Sequence, residues 1–293
     1  MTLDRSGVRE VLGVRGIGPR RALGQNFVVD RAVIERIVEL GALGPGDHVL
    51  EVGPGLGSLT VALARTGASV VALEKDPELA AIALEHLQGV APARGPNLGP
   101  EAERSVAGTS AQPAAVQVQV GDALTVDLDA LLGGHDGTWT MVANLPYNVA
   151  VPVILRVLRE SPSVKRLLVM VQKEVADRLC AEPGGRTIGL PTLRLGWFAQ
   201  AHVVLEVPPG AFEPVPEVES AVVDITRNPG VRDVDPDSVF PLVERAYRKR
   251  RKMLRSSLAE VHRSAFGAAG VDPTSRPEQL SLDQWIALAR AAR

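Results

Sequence analysis

"LEVGPGLGSLT", Leu50 to Thr60, decides how the rest of this 293-residue chain is read. Gly53, Gly55 and Gly57 stand between an apolar run that ends at Val52 and another that begins at Leu59. Glycine lets the backbone turn sharply and lets a ligand come close to main-chain N–H groups. The preceding "HVLEVG" (His48 to Gly53) predicts a short strand, and Leu59 to Ala64 opens a helix. "SVVALEKD" gives a second strand ending at Glu74, and Pro77 suits the first turn of the next helix. Upstream, Asp30 is a candidate N-cap for a helix with Val33, Ile34, Ile37 and Val38 at helical spacing. This strand–helix alternation predicts a parallel sheet covered on both faces.

Residues 89–115 interrupt the pattern with four Gly, four Pro and no aromatic residue, and read as an exposed, mobile insertion. Alternation resumes with "VQVQVGD", "MVAN" and "RLLVMVQ", followed by "HVVLEVPPGAFEPVP". From about Asp233 strands give way to helices, the last opened by a capping box of Ser281 and Gln284. The expected organisation is an N-terminal extension over 1–20, an α/β domain over 21–232 and a helical C-terminal domain over 233–293.

Composition narrows the function. Hydrophobic residues make up 45%, enough for a sizeable core. No apolar run approaches the ~20 residues needed to span a bilayer, and no secretory leader is legible. Cys180 is the sole cysteine, which excludes an internal disulfide and any multi-Cys metal site; no metal is expected. These features fit a cytoplasmic protein. The net charge of −2 is unevenly spread: an acidic middle, residues 42–140, lies between basic flanks. That asymmetry suits flanks that hold a polyanion around a centre that holds something else.

The chemistry is concentrated at strand ends. A carboxylate at Glu74 can accept both hydroxyls of a ribose, a geometry used by dinucleotides and by S-adenosylmethionine. The dinucleotide fingerprint is G-x-G-x-x-G with a pyrophosphate on the helix N-terminus. Here the spacing is G-x-G-x-G, preceded by Glu51, and a carboxylate suits a cationic amino group better than a pyrophosphate. Asp122 ends a later strand, where it can accept from an adenine amino group. The methyl donor is the better fit. "NLPY", Asn144 to Tyr147, follows the next strand on the same rim. An adenine amine is a poor nucleophile because its lone pair is delocalised into the ring. A side-chain amide oxygen and a backbone carbonyl, each accepting one N–H, would favour a pyramidal nitrogen, so that transfer needs positioning and electrostatics rather than a strong base. Pro146 fixes the backbone so that the Leu145 carbonyl can face inward, and Tyr147 offers a face to a base taken out of its stack.

"LGQNFVVD", "EVGPGLGSLT", "EKD", "GDAL", "NLPYNV", "VQKEVADRL", "VPPGAFEPVPEVESAVV" and "RKRRKMLRSSL" occur in the order found in the KsgA (RsmA) family of small-subunit ribosomal RNA adenine dimethyltransferases. The resemblance runs from about Arg20 to Trp285. It implies a class I (Rossmann-like) methyltransferase core with a small helical C-terminal domain. It also implies transfer of two methyl groups to each of two adjacent adenosines in the terminal hairpin of 16S rRNA. S-adenosylmethionine is then the donor, S-adenosylhomocysteine the product, and the small ribosomal subunit the partner of a monomeric enzyme. By position, the family's donor-binding residues fall on Asn26, Val28, Gly53, Glu74, Asp122 and Asn144. Asn144, Leu145 and Pro146 would accept from the target amine, Tyr147 would stack on the base, and Phe212 resembles the family's second aromatic near the target.

Two departures stand out. Residues 89–115 form a longer linker than the family usually has, and Ile188, in "GGRTIGLPTL", stands where a tyrosine is usual. The sister family of macrolide-resistance methyltransferases, acting on 23S rRNA, shares most of these motifs and is the alternative. Finally, a continuous helix from Phe240 would place Val243, Tyr247, Leu254, Leu258 and Val261 on its apolar face. Arg245, Arg248, Lys249, Lys252 and Arg255 would fall on another side and are expected to contact RNA.

Overall fold

Parallel strands need long crossovers, and the helices predicted around the glycine loop supply them. The computed structural model describes residues 2–18, 25–88, 93–94, 115–133, 137–182, 185, 187–230 and 232–292. The insertion expected over 89–115 lies almost wholly outside the described residues. The strands are β1 (Phe27–Val28), β2 (His48–Val52), β3 (Ser69–Glu74), β4 (Ala93–Arg94), β5 (Val116–Val120), β6 (Trp139–Asn144), β7 (Val164–Gln172), β8 (Ala199–Val207), β9 (Phe212–Glu213) and β10 (Ser220–Arg227). Eight of them form one sheet in the order β4-β5-β3-β2-β6-β7-β10-β8, while β1 and β9 pair separately. The β4–β5, β5–β3, β3–β2, β2–β6 and β6–β7 pairs are all parallel.

The chain divides into two units, Met1–Lys173 with Val203–Ile225 and Glu174–His202 with Thr226–Arg293. The second therefore takes in residues 174–202 as well as the stretch expected from 233 onward. In the first unit the helices are α1 (Arg5–Arg15), α2 (Arg31–Gly41), α3 (Ser58–Ala64), α4 (Pro77–Leu87), α5 (Leu128–Leu131) and α6 (Ala150–Glu160). Asp30 caps α2 by accepting from the N–H groups of Ala32 and Val33, and Asp76 caps α4 ahead of Pro77. Val49, Leu50, Val70, Ala72, Val118, Val142 and Leu168 are all fully buried, as strands covered on both faces require.

The separate N-terminal extension over 1–20 gives way to an integrated helix. Val8 and Leu12 of α1 are buried in a cluster with Phe27, Leu56, Leu79 and Ile82. Each such side chain contributes roughly 1.5–3 kcal/mol by leaving water. Arg5 and Arg9 pair with Glu213 at 2.5 and 2.9 Å, and Gly16 ends the helix in the left-handed conformation. The apolar spacing of Val8 and Leu12 was the signal available in the sequence.

The second unit is built on α7 (Lys173–Leu179), α8 (Leu190–Phe198), α9 (Phe240–Arg248), α10 (Leu254–Ser257), α11 (Arg263–Ala268) and α12 (Leu282–Ala291). Ser281 and Gln284 cap α12 reciprocally, as their spacing predicts. Its core gathers Ile188, Trp197, Val243, Leu254, Leu258, Phe266 and Trp285. Ile188, noted above as a departure from the resemblance, is buried there. The continuous helix expected from Phe240 to Val261 is broken between α9 and α10. Five consecutive basic residues, 248–252, would set like charges one turn apart in a helix. The chain turns instead, with Lys252 N–H donating to the Lys249 carbonyl, and Leu254 and Arg255 N–H to the Ser275 and Pro273 carbonyls. The apolar residues still reach one core, by a bend rather than by one helical face.

Candidate active site

Strand order places the site. From β2 the chain adds β3 and β5 on one side and returns to add β6 on the other. Connections that leave in opposite directions open a crevice at the carboxyl ends of the strands. Gly53 follows β2, Glu74 ends β3, Asp122 follows β5 and Asn144 ends β6, so all four reach the same rim. They line one cleft of about 360 Å³, together with Asn26, Val28, Leu145, Pro146 and Tyr147.

Gly53 adopts φ 73°, its N–H donates to the Leu73 carbonyl, and a Cβ there would lie in ordinary contact with Pro146, 3.4 Å away. The glycine loop therefore runs close to the Asn-Leu-Pro-Tyr turn, and the positive φ is what favours glycine at this position. Gly55, at φ 56°, donates its N–H to Oε2 of Glu74 at 3.0 Å, while Oε1 accepts from Asp76 N–H at 2.9 Å. Glu74 thus ties β3 to the glycine loop besides facing the cleft. Burial raises its pKa, against the pull of those backbone donors.

Glu51 is fully buried in the floor of the cleft, and its Oε2 has no hydrogen-bond partner. Burial pushes its carboxyl up to about 8; the Thr60 hydroxyl beside it pulls the other way without completing a hydrogen bond, and the charge of Glu74 adds to the rise. A buried acid with an unanswered oxygen suits a cationic group that enters the cleft. Asp122 is held below the usual carboxylate range by Lys75, whose Nζ lies 2.8 Å away, and by Leu124 N–H. It stays ionised and ready to accept from an amino group.

Asn144 is oriented from a distance of 118 residues: its Nδ2 donates to the Asn26 carbonyl at 3.0 Å. That leaves Oδ1 as the acceptor end of the amide. Leu145 N–H donates to the Met170 carbonyl, which fixes the turn, and no donor among the described residues reaches the Leu145 carbonyl. The Pro146 carbonyl is already taken by Val149 N–H at 3.1 Å. Of the three acceptors expected, two are therefore available. The Tyr147 ring is half-buried and its hydroxyl lies 2.7 Å from Oγ of Ser220.

Phe212 does not stand at this cleft. It pairs with Val28 across the β1–β9 ladder and is fully buried in the core of the first unit, with Val28, Ile34 and Val222. Its apolar ring gains more from that core than from an exposed stacking position. Sequence reasoning also missed Lys75, Ser220 and Arg156. From α6 the Arg156 guanidinium donates to the Ala123 and Val126 carbonyls, both at 2.7 Å, and so clamps the loop that carries Asp122. No spacing rule links an arginine to a carbonyl some thirty residues earlier.

In the second unit Arg245, Arg248, Lys249, Lys252 and Arg255 are all exposed. Arg245 pairs with Glu260 at 3.2 Å, and Arg255 faces Asp272. Arg248, Lys249 and Lys252 make no ion pair among the described residues.

Comparison with known proteins follows the same lines. The family model described as ribosomal RNA adenine dimethylase matches residues 18–98 and 104–292. A protein of Kineococcus radiotolerans named ribosomal RNA small subunit methyltransferase A is 44% identical over 98% of this chain and 90% of its own length. One of the same name from Bifidobacterium adolescentis is 40% identical over 99% of this chain and 93% of its own. The crystal structure of the 23S rRNA methyltransferase ErmE matches 91% of this chain and 99% of its own with a TM-score of 0.63, at 24% identity, a likeness of fold.

Proposed function

The chain belongs to the ribosomal RNA adenine dimethylase family, and on that premise we propose that it dimethylates the exocyclic amines of two adjacent adenosines in the terminal hairpin of 16S rRNA. S-adenosylmethionine supplies the electrophilic methyl group when bound. Glu74 accepts from its ribose, Asp122 from its adenine amine, and Glu51 faces its ammonium group; Asn26, Val28 and Gly53 complete the walls of that end of the cleft. The two acids fit such a donor because Asp122 is ionised and Glu51 has an oxygen without a partner, which a cation entering the cleft would draw into the charged form.

The observation that carries the reading is the orientation of Asn144. With Nδ2 held by the Asn26 carbonyl, its Oδ1 and the free Leu145 carbonyl present two acceptors in one cleft. Two acceptors match the two N–H bonds of an adenine amine and draw its lone pair out of conjugation. Transfer leaves the donor's sulfur as a neutral thioether and the nitrogen cationic; once that acidic nitrogen has released a proton to solvent, one N–H remains, and the same acceptors can hold it. Tyr147 supports the base by stacking. Among the described residues no strong base stands beside Asn144, and none is needed while the electrophile is a sulfonium.

The exposed basic turn of the second unit holds phosphates of the subunit, through Arg245, Arg248, Lys249, Lys252 and Arg255. The enzyme acts as a monomer in the cytoplasm. Among the described residues no helix is long and apolar enough to cross a membrane.

Incubation with isolated small and large subunits, followed by mass-spectrometric mapping of the rRNA, tests the reading. Dimethyladenosine at two adjacent positions of 16S rRNA is the expected result. Modification confined to 23S rRNA would overturn it in favour of the sister activity.

A further inference from the structure

Tyr147 is anchored at its far end. Its hydroxyl lies 2.7 Å from Oγ of Ser220, and either oxygen can donate. Ser220 is the first residue of β10 and is fully buried, with no other side-chain partner among the described residues. It stands on a rigid base: the Glu219 carbonyl just before it accepts from Lys173 N–H at 2.9 Å, and Ala221, Val222 and Val223 after it are fully buried. At the near end the backbone of Tyr147 follows Leu145, whose N–H is held by the Met170 carbonyl.

Holding the hydroxyl fixes the direction of the ring's long axis, and because a phenol O–H prefers to lie in the ring plane, the bond to Ser220 also favours one rotation of the ring about that axis. A stacking platform needs that plane held, because a base is only as well aimed as the ring it lies on. A phenylalanine would offer the same face without the anchor. A buried serine hydroxyl without a partner would be costly, so the pair also satisfies Ser220.

We propose that Ser220 is a positioning residue that fixes the plane of Tyr147 and so aims the target adenine at Asn144. This rests on the reading of Tyr147 as the stacking residue. Ser220 itself touches neither donor nor base; it acts through the phenol.

Steady-state methylation of small subunits by the wild type, Tyr147→Phe, Ser220→Ala and the double variant tests it, with donor affinity followed by calorimetry. Each single variant is expected to lower kcat by roughly three- to tenfold, the range for one lost hydrogen bond, with KM for the subunit and donor affinity little changed. The double variant should be no worse than either single one, because both remove the same interaction. Losses that multiply in the double variant would overturn the proposal, as would wild-type turnover in Tyr147→Phe. Tyr147→Phe retains Ser220 and the ring, so it decides the matter even if Ser220→Ala does not fold. Tyr147→Ala separates the two ways of failing. Full turnover in it defeats the stacking reading and this proposal together. A crippled Tyr147→Ala beside a fully active Tyr147→Phe defeats the role of Ser220 alone.

Discussion

Glu74 and Lys252 each bear one ionisable group, in opposite surroundings. Glu74 is buried at the end of β3, and each of its oxygens is held by a backbone N–H. Lys252 stands in an exposed turn and makes no ion pair among the described residues. The rim of the sheet fixes directions, so each side chain there is held in one geometry by named partners. On the function proposed above, the basic turn would work through summed charge, which adjacent residues can replace and salt can screen. Single substitutions should be severe on the rim, whereas effects at the turn should be graded and dependent on salt.

The sharpest test of the contrast is Asn144→Ala. Removing one preorganised acceptor should lower kcat by about 10²–10³-fold while affinity for donor and subunit changes little. Single-turnover kinetics beside binding measurements would show it. An equal loss in binding and turnover would mean that Asn144 serves the ground state as much as the transition state.

Glu74→Ala comes next. Losing a charged hydrogen-bond acceptor should weaken S-adenosylhomocysteine binding by about 1.5–3 kcal/mol, readable by calorimetry. Because Glu74 also receives the Gly55 N–H, the glycine loop should exchange its amides faster in the variant. Unchanged affinity in a folded variant would remove Glu74 from the donor site.

Glu51 offers a test by pH. Its carboxyl titrates near 8 in the folded chain against an ordinary 4.5, so the folded state keeps a proton that the unfolded state releases. The stability this confers is complete below about pH 4.5 and is lost as pH rises towards 8. Its contribution falls by up to about 1.4 kcal/mol per pH unit within that window. Glu51→Gln has no such proton to lose, and its melting temperature should fall less than that of the wild type between pH 5 and about 8. Parallel melting profiles would place the proton elsewhere.

The mildest expected effect belongs to the turn. Arg248→Glu with Lys252→Glu should weaken subunit binding mainly at low salt and leave donor affinity intact. The log-affinity versus log-salt slope should flatten by roughly 0.7–0.9 for each phosphate that the turn no longer neutralises. An unaltered slope would leave the turn as a solvated charged surface.

The two regions also differ in how far their sequence could be read. At the rim, Gly53, Glu74, Asp122 and Asn144 each follow a strand whose apolar run and terminator are contiguous, so their shared location was legible from strand ends alone. The caps at Asp30 and Ser281 were legible for the same reason, since a cap bonds two or three residues away. In the second unit the apolar positions were legible but the helix joining them was not. Periodicity records which side chains are apolar and says nothing of a bend that delivers them to the same core.

What the sequence determined by itself is therefore what lies within a few residues along the chain: the chemistry at each strand end, the glycine turn, the caps and the Asn-Leu-Pro-Tyr motif. Tertiary structure alone decided that Phe212 serves the core, that α1 belongs to the first unit, and that the Pro146 carbonyl is taken. It alone brought Asn26 to Asn144 across 118 positions and Ser220 to Tyr147 across 73. A hydrogen bond needs its partners within about 3 Å. Spacing along the chain guarantees that closeness only inside a turn, whereas between distant strands it follows from how the sheet packs.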